Sequence, residues 1–82
     1  MKKLFVYNKK AGRKFKSELI SLITQHSAFQ SNDEIVEIQA LSNQEERCTD
    51  YDVLVAVGGD GTVNYIASIA YKYKKILSVI PA

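Results

Sequence analysis

The chain has 82 residues, of which 46% are hydrophobic and 24% charged, and its net charge at pH 7 is +2. This length suits one small domain, and this apolar content argues against disorder. A single cysteine, Cys48, excludes an internal disulfide and is interpreted as a reduced bystander; with one histidine in the chain, a structural zinc site is excluded as well. No apolar run reaches the length of a signal-peptide core or a membrane span, which favours a cytoplasmic protein.

The charges are unevenly distributed along the chain. Residues 1–16 hold seven of the eleven lysines and arginines and no acid, whereas residues 17–61 hold all nine acids and one base. A basic segment suits an anionic partner such as a phosphate or a membrane surface, and it also suits a merely solvated surface. Nucleic-acid binding is not expected, because no motif of that kind accompanies the basic residues.

The first predicted element is a strand at residues 2–7, a short run that is rich in strand formers. A turn follows at residues 8–12, and from residue 13 to about residue 26 the apolar spacing predicts a helix. His26 is interpreted as a helix-end residue, because no partner nucleophile accompanies it. The residues that share the apolar face of this helix are Phe15, Leu19, Leu22, Ile23 and His26.

Residues 27–33 are polar and predict a loop, and a second strand is predicted at about residues 35–41. The polar segment 42–50 can hold one short helical turn. The strongest strand prediction covers residues 52–57, because its apolar run does not alternate with polar residues. Such a run is typical of a strand buried on both faces of a parallel sheet.

Glycines at residues 58–61 end that strand, a second helix follows, and a last strand is predicted at residues 76–80. Strands separated by helices indicate βαβ units. We therefore predict an α/β fold with a parallel sheet of about four strands and helices on its faces. The tyrosines of the second helix (Tyr65, Tyr71 and Tyr73) are expected to pack in the core or at its rim. The apolar face of that helix comprises Val63, Ile66, Ala67, Ala70 and Tyr73.

The turn Gly58-Gly59-Asp60-Gly61-Thr62 joins the strongest strand to a helix. A helix amino end carries unpaired N–H groups and partial positive charge, and glycine lets a phosphate approach the backbone. Thr62 can cap the helix or donate its hydroxyl to a phosphate oxygen, and Asp60 can cap the helix or hold a magnesium-bound water. The simpler interpretation is a tight strand-to-helix turn, but three glycines around an aspartate exceed what such a turn needs.

The turn Asn8-Lys9-Lys10-Ala11-Gly12 follows the first strand. Asn8 can bind a phosphate or close an Asx turn, and the nearby bases offer charge to a polyphosphate. By itself this segment also fits a plain loop. In a parallel sheet both turns lie at the carboxyl ends of strands, where ligands bind.

Together the two turns resemble those of the diacylglycerol kinase catalytic family, which includes bacterial lipid kinases and sphingosine kinases. That family opens with a strand and an Asn-Pro-x-Ser/Ala-Gly turn, where this chain has residues 8–12. Further along it has Gly-Gly-Asp-Gly-Thr-x-Asn-Glu, where residues 58–65 read Gly-Gly-Asp-Gly-Thr-Val-Asn-Tyr. A later strand ends in Pro-x-Gly-Thr, and Ile80-Pro81-Ala82 match the beginning of that segment.

The resemblance implies a phosphofructokinase-like or Rossmann-like half-domain, with residues 1–82 as the N-terminal nucleotide-binding subdomain of a lipid kinase. It implies transfer of the γ-phosphoryl group of ATP to a lipid hydroxyl such as that of diacylglycerol, with Mg²⁺ as a partner. The residues that it places at the nucleotide are Asn8, Lys9, Lys10, Ala11, Gly12, Gly58, Gly59, Asp60, Gly61, Thr62 and Asn64.

The chain departs from the family pattern in three respects. Lys9 replaces proline, Tyr65 replaces glutamate, and the chain ends before the Gly-Thr of the third motif and before the β-rich domain that binds lipid and supplies the catalytic base. We therefore expect a truncated domain that is inactive alone, with no catalytic residue in these 82 positions. The lipid and the membrane surface are expected as partners of the complete enzyme, which would be peripheral to the membrane. We also expect self-association through apolar sheet surface that the missing domain would cover.

Two alternatives fit the same residues. NAD kinases and phosphofructokinases also carry a Gly-Gly-Asp-Gly turn after a buried strand. A non-catalytic module that keeps the fold and some affinity for phosphate is the other. The first turn and the segment Ile80-Pro81-Ala82 favour a lipid kinase over the first alternative.

Overall fold

The computed structural model describes residues 1–8 and 16–81, with the backbone alone described at residue 16. Strands and helices alternate along the chain. They are β1 (Lys3–Tyr7), α1 (Lys16–Thr24), β2 (Glu34–Glu37), α2 (Ile38–Ser42), a 3-10 helix (Glu45–Asp50), β3 (Val53–Val57), α3 (Asp60–Tyr73) and β4 (Ile76–Ile80).

The strands form one parallel sheet in the order β2-β1-β3-β4. The chain runs outward from β1 to β2 on one side and then returns to β3 on the other side of β1. In doubly wound sheets a crevice opens at this reversal of direction, beyond the carboxyl ends of the two central strands. The predicted α/β fold with a four-stranded parallel sheet is therefore confirmed, and β1 and β3 are the central pair.

Two apolar layers lie on opposite faces of the sheet, because successive side chains of a strand point to opposite faces. Helix α1 covers one face, and α2, the 3-10 helix and α3 cover the other. All five residues of β3 are buried, as the unbroken apolar run predicted. The layer under α1 includes Phe5, Tyr7, Leu19, Ile23, Val55 and Val57. The layer under α2 and α3 includes Leu4, Val6, Leu41, Leu54, Ile66 and Ile69.

The predicted second strand, 35–41, is wrong in its second half. Strand β2 ends at Glu37, and the next five residues form α2. The side chain of Glu37 caps this helix, because its Oε2 accepts a hydrogen bond of 2.8 Å from the N–H of Gln39. Leu41 then points into the core. A short apolar run fits either a strand or a buried helical turn, and here the cap decides for the helix.

The first helix ends earlier than predicted, at Thr24, and the predicted start at residues 13–15 lies outside the described residues. Leu19 and Ile23 are buried as expected. His26 is exposed beyond the helix end, where its Nδ1 accepts a hydrogen bond of 3.1 Å from the N–H of Ala28. The interpretation of His26 as a helix-end residue holds, but its place on the apolar face does not.

The second predicted helix corresponds to α3. Tyr65 and Tyr73 pack against the core as expected. Tyr71 is 89% exposed, so the prediction that it packs in the core or at its rim is wrong. The helix stops at Lys74, whose left-handed backbone (φ 58°) lets its N–H bond to the carbonyls of Ala70 and Tyr71. The last strand then begins at the predicted position, residue 76.

Candidate functional site

The turn after β3 is built around Gly58. Its φ of 150° lies in a region that residues with a side chain rarely adopt, and a Cβ here would stand 3.0 Å from the Oγ1 of Thr62. The N–H of Gly58 donates to the carbonyl of Ile80 at 3.1 Å, which fixes the turn to the end of β4. Gly58 is therefore a structural glycine that lets the chain turn sharply from strand into helix.

The amino end of α3 has no side-chain cap within the described part of the chain. Gly59 is the N-cap residue, and the first helical bond runs from the N–H of Val63 to the carbonyl of Gly59 at 3.0 Å. The N–H groups of the first helical turn, from Asp60 to Thr62, therefore have no acceptor within the helix. With the helix dipole they form a centre of partial positive charge that suits an anion.

Gly59 and Gly61 differ from Gly58. Both are exposed, and no described heavy atom within 4 Å would meet a Cβ at either position. The fold itself therefore does not require glycine at these two places. Backbone N–H groups without side chains over them are what a phosphate needs for close approach. Among the described residues, the space beside both glycines is open to a ligand.

The other predicted residues of this turn have different environments. Asp60 is exposed as the first residue of α3, and Asn64 is exposed one helical turn later. Thr62 is only 3% exposed and lies directly against Gly58. Neither Asp60 nor Thr62 caps the helix, contrary to the first of their two predicted roles, because Gly59 occupies the N-cap position.

The first residues of the two predicted turns, Asn8 and Gly58, lie at neighbouring strand ends. Tyr7, the last residue of β1, pairs with Val57, the last residue of β3, so that Asn8 and Gly58 follow at the same edge of the sheet. Asn8 is half-buried there. The other residues of the first turn, Lys9, Lys10, Ala11 and Gly12, lie outside the described residues, so their role at a phosphate stays a prediction.

Glu37 also lies at this edge and was not predicted from the sequence as a site residue. It ends β2 and pairs with Tyr7 of β1. The signal that marks it is an acid at the carboxyl end of a strand next to the reversal point. That signal was hidden because the predicted strand continued to residue 41.

The titratable groups that the sequence singled out elsewhere do not join this site. Cys48 is a buried free thiol in the layer under α3, and burial raises its pKa, which makes it less reactive. Among the described residues, no group of three or more His, Cys, Asp or Glu side chains could hold a metal ion. In the same residues, no helix has both the length and the apolar character to cross a membrane.

A helix amino end at the reversal point of a doubly wound sheet is the place where many α/β domains bind phosphate groups, and the fold of this chain has that general form. The particular family follows from comparison with known families. The model of the diacylglycerol kinase catalytic domain matches residues 2–82, and the chain belongs to that family of kinase domains. Searches among curated proteins and among solved structures found no significant match.

Tyr65 stands where the family pattern has glutamate, and its contacts show what this tyrosine does in the fold. Its hydroxyl donates a hydrogen bond of 2.9 Å to the Oε2 of Glu45, and Glu45 lies 3.5 Å from the Nζ of Lys72. Burial and the bond to Glu45 raise the pKa of Tyr65 to about 12. Tyr65 therefore ties α3 to the 3-10 helix beneath it and does not supply a charge.

Proposed function

We propose that residues 2–82 bind the phosphates of ATP as part of a lipid kinase, which transfers the γ-phosphoryl group to a lipid hydroxyl such as that of diacylglycerol. The observation that carries the proposal is the amino end of α3, which no described side chain caps and which follows Gly58 and Gly59 where β1 and β3 end. Membership of the diacylglycerol kinase catalytic domain family supports the kinase activity.

The backbone of the turn has the main role in this proposal. The N–H groups of Asp60, Gly61 and Thr62 donate to phosphate oxygens, and the bare backbone at Gly59 admits the phosphate. Asn8, after β1, and Asn64, in α3, contribute side chains toward the same phosphates, and the lysines at positions 9 and 10 are expected from the sequence to add positive charge. Phosphoryl transfer depends mainly on positioning and charge neutralisation, and donors fixed in a helix end need little rearrangement to supply both.

Magnesium fits the donors at this turn. Mg²⁺ is commonly held by one or two carboxylates together with phosphate oxygens and waters, and Asp60 presents an exposed carboxylate in the first turn of α3. Asp60 would hold the ion directly or through a water. When bound, the ion neutralises charge on the phosphates.

A lipid kinase with this acceptor works at a membrane surface, because diacylglycerol resides in the lipid bilayer. The basic residues of segment 1–16 suit an anionic surface of that kind. The proposed function therefore includes a peripheral contact with the cytoplasmic side of a membrane.

Calorimetric titration of the chain with Mg·ATP tests the phosphate site. We expect weak, saturable binding that Gly59→Val lowers at least about tenfold, because the new side chain covers the helix end. The backbone at Gly59 is extended (φ −93°, ψ −164°), so valine fits it, and the loss of a glycine N-cap costs about 1 kcal/mol of stability or less.

Ala28→Val is the matched control, because Ala28 is exposed in the loop before β2, on the side of the sheet where the strands begin. This variant should bind Mg·ATP as the wild type does. Absence of saturable binding by the wild type up to millimolar Mg·ATP would contradict the proposal. So would equal affinities of the wild type and Gly59→Val.

A further inference from the structure

The two carboxylate oxygens of Glu37 have different environments. Oε2 accepts the 2.8 Å bond from the N–H of Gln39, whereas Oε1 is buried and has no hydrogen-bond partner in the described part of the chain. Burying a carboxylate oxygen without a donor is unfavourable, and such groups are rare in folded proteins. A hydrogen-bond donor to Oε1 would be favourable, and the described residues do not supply one.

The position of Glu37 indicates where that donor comes from. Glu37 pairs with Tyr7, and Tyr7 pairs with Val57, so the carboxyl ends of β2, β1 and β3 are neighbours. Adjacent strands lie about 4.8 Å apart, which puts the end of β2 about 10 Å from the end of β3. A nucleotide whose phosphates bind at Gly59 can span this distance with its ribose.

A carboxylate accepts hydrogen bonds and donates none, and ribose hydroxyls donate them. In doubly wound domains that bind dinucleotides, an Asp or Glu about 20 residues beyond the glycine-rich first turn bonds to the ribose 2′-hydroxyl. Glu37 lies about 25 residues beyond Gly12, on the strand that follows the first turn. Both the hydrogen-bonding chemistry of Glu37 and its position in the sheet therefore favour a ribose as the group that contacts Oε1.

We propose that Oε1 of Glu37 accepts a hydrogen bond from a ribose hydroxyl of the bound nucleotide. The inference rests on the proposed function, since the phosphates bind at the amino end of α3. It adds that the site selects ribonucleotides over deoxyribonucleotides. It also adds that a nucleotide with a phosphate on the ribose is repelled by the carboxylate.

The first test needs no variant. The wild-type chain is titrated with the magnesium complexes of ATP, 2′-deoxy-ATP, 3′-deoxy-ATP and inorganic tripolyphosphate. We expect ATP to bind about tenfold more tightly than at least one deoxynucleotide, the difference typical of one hydrogen bond to a charged group. Equal affinities for ATP and both deoxynucleotides overturn the inference and leave the proposed function intact.

The second test assigns the preference to Glu37. Glu37→Gln keeps an oxygen for the cap on α2 but removes the charge. The preference for ATP over the deoxynucleotides should therefore shrink, whereas the affinity for tripolyphosphate should not fall. Glu34→Gln is the matched control, because Glu34 lies at the amino end of the same strand, away from the strand ends where the nucleotide is proposed to bind. It should keep the wild-type preference.

The remaining outcomes are also decisive. Tripolyphosphate binding as tight as ATP binding leaves the phosphate site standing and overturns the role of Glu37. The same holds if Glu37→Gln keeps the full preference for ATP. Failure of ATP and tripolyphosphate alike to bind overturns the proposed function, and the inference with it.

Discussion

The three glycines of the turn after β3 serve different purposes, although they are nearly adjacent in the sequence. Gly58 combines a φ of 150° with a Cβ position 3.0 Å from Thr62, so the fold requires a glycine there. Gly59 and Gly61 meet no such restriction from the described residues. A residue that the fold can replace, but that faces a helix end able to bind an anion, is better explained by a ligand than by packing.

Alanine substitutions should separate these two purposes. Gly61→Ala is expected to raise the free energy of unfolding by about 0.5 kcal/mol, because alanine favours a helix more than glycine does. It should nevertheless weaken Mg·ATP binding. Gly58→Ala is expected to lower the free energy of unfolding by about 1–3 kcal/mol through backbone strain and contact with Thr62. Urea unfolding of both variants measures this, and a loss of stability in Gly61→Ala would contradict it.

At the scale of single residues, the sequence singles out the glycines as candidate site residues but does not single out Glu37. The glycines interrupt a strong apolar run, and that local pattern is visible without a structure. The importance of Glu37 depends on where β2 ends and on which strands neighbour it. Both are properties of the assembled sheet, and the oxygen without a partner is visible only with side chains in place.

Among the elements, β1 is held at its amino end by the loop before β2. The carboxylate of Asp33 is buried and accepts 2.9 Å bonds from the N–H groups of Lys3 and Gln30, and the Nζ of Lys3 lies 3.0 Å away. Burial opposes the charge on Asp33, but these donors and the ammonium group together lower its pKa below the ordinary value of 3.8. The carboxylate thereby fixes the start of the central strand.

This anchor predicts an acid-dependent loss of stability. Because the pKa of Asp33 is lower in the folded state, its contribution is fully present above the ordinary pKa and is lost as pH falls through the folded value. Asp33→Asn should therefore lower the free energy of unfolding by about 1–3 kcal/mol at pH 7 and flatten its decline below pH 4. Denaturant unfolding at several pH values measures both effects. The control Asp50→Asn, at an exposed position, should change neither.

The elements themselves were predicted with uneven success, for physical reasons. Strand β3 matches the prediction because its apolar run is continuous and ends at glycine, and β4 matches because its run, interrupted only by Ser78, lies between Lys75 and Pro81. The boundary between β2 and α2 was missed because Ile38 and Leu41 satisfy both a strand and a helical turn. The choice between them depends on a side-chain cap from Glu37, which no apolar pattern encodes.

Over the whole molecule, the two edges of the sheet differ in how they are protected. Strand β2 begins and ends with glutamates, and Glu34 is paired with Arg47 at 2.9 Å. Charged side chains of this kind prevent an edge from pairing with another strand. Strand β4 has no charged residue, and Ile76, Leu77 and Val79 are 50%, 38% and 42% exposed. The edge at β4 is therefore the surface suited to association.

We expect two copies of the chain to pair their β4 strands antiparallel around Ser78. A two-fold axis makes an interface between identical surfaces, and it brings Ile76 of one copy opposite Ile80 of the other. No acid or base lies between these positions to oppose the contact. Sedimentation at increasing concentration should show a shift from the monomer mass to the dimer mass.

A charge on the edge strand tests this pairing directly. Val79→Lys should weaken dimer formation about tenfold or more, because the ammonium group would have to be desolvated against apolar side chains. Ala40→Lys adds the same charge at an exposed position of α2, beside the opposite edge of the sheet, and should leave the dimer unchanged. A monomer mass for the wild type at every concentration would contradict the prediction. A dimer that survives Val79→Lys would show that the contact lies on a different surface. In the proposed pairing, the lysine would replace an apolar side chain that contacts the other copy across the paired strands.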